Sequence, residues 1–203
     1  NPPRYMHLDE LIATRSTDPA LLDNLESWLV SRLGKGIVRA LDTPNFVANR
    51  VGVFSMLAVM HHTQRFGLGV DVVDALTGPI IGRPKSATYR TADVVGLDTL
   101  AHVVKTMQDT LPEDPWHGYY SVPDWLAALI DKGALGQKTR CGIFRKDGRA
   151  IKVLDLASQD YRESAGDIDP TVLAILKNRH PAEKFAQLRA SEHPQAQFLW
   201  AIF

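Results

Sequence analysis

The chain has 203 residues, 45% of them apolar and 23% charged. That composition supports a folded core and excludes a disordered chain, a collagen-like repeat or a disulfide-bound miniprotein. Lys and Arg together number 23, as do Asp and Glu, so no net charge draws the chain to nucleic acid or to an acidic membrane surface. Residues 5–13 carry a short, partly alternating apolar pattern and predict one strand, with no partner visible in the sequence. Asp18 and Pro19 supply an N-cap and a first helical residue, and Leu21, Leu22, Leu25, Trp28, Leu29 and Leu33 then recur at helical spacing up to Gly34. A second short strand is expected over 37–41, before Pro44 forbids a ladder.

Residues 46–66 predict a long helix with Val47, Val51, Phe54, Leu57 and Met60 on one face and further apolar residues around it. Such a helix should be buried nearly all round, at a core or a dimer seam. Its apolar run, 51–60, is interrupted by Gly52 and Ser55 and is too short to span a membrane. A short helix over 70–76 and a Gly/Pro-rich loop over 78–84 follow. An amphipathic helix begins near Asp98, read as its N-cap, with Leu100, Val103, Val104 and Met107 in period before Pro112 ends it. One more helix is expected over 123–132. Asp147-Gly148, between the runs 143–146 and 149–154, is a type I′ hairpin signal. Beyond 155 come a polar loop, helices over 170–179 and 181–190, and an apolar helix from about Pro194.

No Walker loop, GxSxG elbow or HExxH is present. His61 and His62 would point about 100° apart on one helix, so they read as helix-surface residues rather than ligands of one metal. Cys141 is the single cysteine, which rules out an internal disulfide and makes a reducing cytoplasm the simplest compartment. It sits beside an expected strand with no obvious base and reads as buried or inert. The chain opens on Asn1-Pro2-Pro3 and closes on an apolar stretch, so both ends read as cut from something longer.

Six segments in order carry more. They are Asn1-Pro2-Pro3-Arg4-Tyr5-Met6-His7-Leu8-Asp9-Glu10, Leu33-Gly34-Lys35, and Asp42-Thr43-Pro44-Asn45-Phe46-Val47-Ala48-Asn49-Arg50. Gly82-Arg83-Pro84, Asp93-Val94-Val95-Gly96-Leu97-Asp98 and Gly136-Gln137-Lys138-Thr139 leading to Gly142-Ile143-Phe144 complete the set. Together they resemble the 3-hydroxyacyl-CoA dehydrogenases of fatty-acid β-oxidation over residues 1–146. The resemblance implies a mainly α chain. A remnant of the NAD-binding Rossmann domain would occupy 1–42, and the family's helical C-terminal domain 43–146. A hairpin end, a linker and the start of a second helical repeat would fill 147–203.

Under the same resemblance Asn1 closes a His-Phe-Phe-Asn-Pro motif, which puts the catalytic histidine three residues before the chain. Most of the NAD-binding domain would also lie there. Glu10 resembles the carboxylate of a His-Glu dyad, accepting the imidazole N–H and fixing its tautomer. Asn49 resembles the active-site asparagine that donates to the substrate oxygen, and its neighbours Phe46 and Val53 read as core. Asn1 and Lys138 would contact NAD. Asn45 stands where glycine is common in the family, and asparagine tolerates the positive φ that the turn needs. The implied partners are an acyl-CoA substrate, the upstream NAD-binding domain, a second copy of the chain and an enoyl-CoA hydratase unit in the parent protein. The rival reading is a non-catalytic helical dimerisation module, and a β-hydroxyacid dehydrogenase is disfavoured because it leaves 42–50 unexplained.

Overall fold

The computed structural model describes residues 3–203, which form two compact units divided between Val51 and Gly52. In the first, strand β1 (Leu8–Ile12) is followed by helix α1 (Pro19–Leu33) and strand β2 (Gly36–Ala40). The two strands pair in parallel, from Leu8 against Gly36 to Ile12 against Ala40. Parallel strands need a crossover, and α1 is that crossover, so the partner that the pattern at 5–13 leaves open is β2. Asp18 caps α1 by accepting the Ala20 N–H at 2.9 Å, and Gly34 ends it at φ 63° with its own N–H bonded to the Val30 carbonyl. Asp18→Ala is expected to cost about 1 kcal/mol and so to speed amide exchange in the first turn of α1 about fivefold, read by hydrogen exchange. Arg39 of β2 reaches Asp23 and Glu26 of α1, with ion pairs of 2.7 and 2.5 Å.

Helix α2 (Val47–Arg65) begins in the first unit and continues into the second. The second unit then runs through α3 (Val70–Leu76), α4 (Tyr89–Val95), α5 (Leu97–Thr110) and α6 (Asp124–Asp131). Strands β3 (Phe144–Asp147), β4 (Ala150–Leu154) and β5 (Tyr161–Glu163) make one antiparallel sheet in that order. Helices α7 (Pro170–Lys177), α8 (Pro181–Ala190) and α9 (Pro194–Ile202) complete the chain, each with Pro at its start. One core joins Val59 and Met60 of α2, Leu76, Leu97, Met107 and Leu126 to Val153, Leu176, Leu188 and Phe198. Each fully buried side chain of this kind contributes roughly 1.5–3 kcal/mol, so residues after 147 help stabilise the same body as α3–α6.

Five expectations need correction. Helix α2 is not buried nearly all round: the core takes it up from Val53, while Phe46 and Val51 are 56% and 64% exposed. Periodicity tells which side chains share a face, not whether anything covers it. The reading of Phe46 as core falls for the same reason. Asp98 is not an N-cap, because Gly96, at φ 99°, separates α4 from α5 and holds that position. The hairpin loop is shifted by one residue: Asp147 pairs with Ala150, which leaves Gly148-Arg149 as the turn. Only Gly148 has positive φ there, as in a II′ turn. The polar loop after 155 also contains β5, which pairs with β4.

Three buried aspartates hold the second unit's connections. Asp74 accepts the N–H groups of Thr88, Tyr89 and Arg90 at 3.2, 2.6 and 3.0 Å and so caps α4 from α3. Burial pushes its carboxyl up to about 6 against the pull of those amides. Asp93 accepts from Ile143 and Phe144 at 2.8 Å each, fastening the start of β3 to α4. Gly136 has φ 99°, and a Cβ there would overlap the Asp93 carbonyl, so this approach requires glycine. Asp71 binds Arg162 and the amides of Ala165 and Gly166.

Candidate functional site

The turn before α2 explains the position of Glu10. Phe46 accepts the first helical bond, from the Arg50 N–H at 2.9 Å, and therefore stands at the N-cap, yet its side chain has nothing with which to cap. The first amides of α2 would be left unpaired. Glu10, projecting from β1, fills that role from a distance in sequence. Its Oε2 accepts the Val47 N–H at 2.9 Å and its Oε1 accepts the Ala48 N–H at 3.0 Å. The helix N-terminus attracts negative charge, so a carboxylate suits it better than a neutral cap. Asn45 makes the preceding turn at φ 62°, in the left-handed region expected of it.

This arrangement has a chemical surplus. A carboxylate offers about four lone-pair positions, and two amides occupy only two. Glu10 is half-buried, so its remaining positions are open to a further donor. Asn49 is the third residue of the same helix, 100° round from Ala48, and its exposed amide has no side-chain hydrogen bond among the described residues. The structure thus brings Glu10 to the first turn of the helix that carries Asn49, through contacts that all lie within the first unit.

The other expected site residues fare differently. Asn1 lies outside the described residues. Lys138, in the second unit, has its ammonium 2.6 Å from both oxygens of Asp98. That pair lowers the Asp98 carboxyl, through the Lys138 hydrogen bond, and leaves Lys138 with its charge already matched. Cys141 is half-buried with Sγ 3.4 Å from the Tyr161 hydroxyl, a neutral phenol rather than a base. The rings of His61 and His62 meet edge-on at 5.1 Å, and burial lowers the imidazolium tendency of His62. Among the described residues no group of three or more His, Cys, Asp or Glu is placed to hold a metal ion, and no helix is long and apolar enough to cross a membrane.

Sequence spacing does not reveal a hollow of about 680 Å³ in the second unit, ringed by Arg90, Arg140, Arg145 and Lys146. These come from α4, from the turn after Gly136 and from β3. The one hint in the sequence is the density of cations between 140 and 146.

Comparison with known proteins fits this architecture. Residues 46–146 match the family model described as 3-hydroxyacyl-CoA dehydrogenase, C-terminal domain. The chain is 38% identical over all its length to a Bacillus subtilis protein named "Probable 3-hydroxyacyl-CoA dehydrogenase", of which it spans 26%. It is 41% identical over 72% of its length to a Deinococcus radiodurans protein of the same name, of which it spans 41%. The crystal structure of FadB2 from M. tuberculosis superposes on 72% of this chain and 50% of its own, with a TM-score of 0.61 at 29% identity. The chain is thus much shorter than these relatives. With the ordered motifs, the mainly α fold and the matched helical domain in agreement, the chain belongs to the 3-hydroxyacyl-CoA dehydrogenase family.

Proposed function

We propose that the chain is part of an NAD-dependent L-3-hydroxyacyl-CoA dehydrogenase, which oxidises a 3-hydroxyacyl-CoA to the 3-oxoacyl-CoA in fatty-acid β-oxidation. The observation that carries this reading is the Glu10 carboxylate, held by two amides at the foot of the helix bearing Asn49 and still able to accept. In that position Glu10 orients an imidazole contributed from outside the 203 residues, keeping its other ring nitrogen free to take the proton of the 3-hydroxyl. Asn49 donates its amide to the substrate oxygen as the carbonyl forms. Glu10 is a positioning residue, and Asn49 touches substrate.

NAD is the hydride acceptor that the family implies. Of the residues expected to reach it, Asn1 lies outside the described residues and Lys138 pairs with Asp98 at the surface, while the connection over 13–18 between β1 and α1 has no glycine to cradle a phosphate.

The test is turnover of 3-hydroxybutyryl-CoA by the longer parent chain carrying Asn49→Ala. Loss of a donor to a developing oxyanion is expected to lower kcat by about 10²–10³-fold with the fold intact by circular dichroism. Unchanged kcat would remove Asn49 from the mechanism. A second reading, a helical interaction module that pairs with another copy, draws on the exposed apolar side chains of Phe46, Val47 and Val51. It predicts that polar substitutions at Val51 dissociate the assembly while turnover per chain persists.

A further inference from the structure

We propose that the hollow between α4, the 137–140 turn and the β3–β4 hairpin binds the phosphate-bearing end of a nucleotide. Its volume, about 680 Å³, falls within the range of small-molecule pockets. Four cations line it, Arg90, Arg140, Arg145 and Lys146, and the one lining acid, Asp93, has both oxygens engaged by the Ile143 and Phe144 amides. Three nearby cations are already paired, Lys138 with Asp98, Lys152 with Asp147 and Arg162 with Asp71. None of the four around the hollow has an ion pair among the described residues. In a chain of zero formal net charge, this local excess points to an anion held at one place rather than to a long polyanion.

The arginines are also arranged for phosphate. The Arg90 guanidinium lies 4.3 Å from the Phe144 ring centre and that of Arg145 lies 4.2 Å from the Tyr161 ring centre. Stacking of this kind holds the planar fork in place, so less freedom is lost when two of its N–H groups meet one phosphate. Arg140 sits at φ 57°, a conformation that a non-glycine residue adopts at some cost. Beside these charges Val94 and Ile151 are 62% and 45% exposed in the same lining. A bare inorganic anion would leave that apolar surface wet. A phosphate attached to a flat, partly apolar base uses both halves of the pocket. The lining includes neither Glu10 nor Asn49, so the site stands or falls apart from the proposed dehydrogenase reaction.

Isothermal titration of the 203-residue chain with ADP, adenosine 3′,5′-bisphosphate, adenosine and pyrophosphate tests the assignment. Both nucleotides should bind, more weakly as salt is raised, with adenosine and pyrophosphate each at least about tenfold weaker. Arg140→Asn combined with Lys146→Gln should weaken ADP at least about tenfold. The melting temperature should be unchanged, because asparagine tolerates the φ at 140 and residue 146 is exposed. Coenzyme A carries the same phosphoadenosine group: tighter binding of coenzyme A than of ADP assigns the site to the coenzyme's end, and tighter ADP assigns it to a free nucleotide. The proposal is overturned if neither nucleotide binds, if the double variant binds ADP as the parent does, or if pyrophosphate matches ADP.

Discussion

On the proposed reading, Glu10→Gln in a chain that also carries the NAD-binding domain is expected to lower kcat/KM for 3-hydroxyacyl-CoA oxidation by about 10²–10⁴-fold, since removing a carboxylate that orients a catalytic imidazole has costs of that order. The substitution acts twice. Glutamine can accept from Val47 or Ala48 with its oxygen, but its NH₂ then faces the other amide, and the charge that suits the helix end is gone. Capping alone is worth about 0.5–2 kcal/mol and would appear as a lower melting temperature. A loss of orientation would appear as reduced kcat/KM at a temperature where the variant is fully folded, together with a displaced pH profile. A variant that melts earlier yet turns over normally would make Glu10 a helix cap and nothing more.

Much of the fold is legible in the chain because local signals carry it. Asp18-Pro19 and Gly34 mark both ends of α1, and the residues that stop or start helices near 70, 123, 170, 181 and 194 are glycines and prolines whose backbone limits act within a turn. What escapes is long-range. The capping of α2 by Glu10 joins residues 37 apart, and Asp93 meets amides 50 and 51 positions on. A polar residue inside an apolar helical run is the trace such contacts leave, as in Val70–Leu76, where Asp71 and Asp74 interrupt a run of valine and leucine. Helix α4, of seven residues, and strand β5, of three, are too short for a repeating apolar pattern to stand out from the flanking loops. For the candidate site, family motifs point to Glu10 and Asn49, while the reason Glu10 must lie where it does, the empty cap at Phe46, is visible only in three dimensions.

Asp71→Ala should be the most damaging single change to the second unit. Asp71 has only 3% of its side chain exposed, and it accepts from both terminal nitrogens of Arg162, at 2.9 and 2.7 Å, as well as from Ala165 and Gly166 at 2.8 and 3.1 Å. One carboxylate thus ties α3 to the segment following β5. Removing it leaves two amides without their acceptor and Arg162 with only the Glu163 carbonyl and the more distant Asp155, a loss of about 3–5 kcal/mol. For a body of this size that lowers the melting temperature by roughly 6–20 °C, measured by scanning calorimetry. The pH dependence gives an independent check. Burial pulls the Asp71 carboxyl upward, but Arg162 and the two amides outweigh it and hold it well below its ordinary value of 3.8. A carboxyl lowered by folding contributes stability in full above its unfolded value and loses it as pH falls toward the folded one. The gap between the parent and Asp71→Ala should therefore be constant near neutrality and narrow below about pH 4. Asp74 acts in the opposite direction: raised to about 6, it makes both proteins less stable as pH rises from about 4 to 6, so only the difference between them isolates Asp71. A gap that stays constant into strong acid would mean that the carboxylate charge contributes nothing and that packing alone holds the joint.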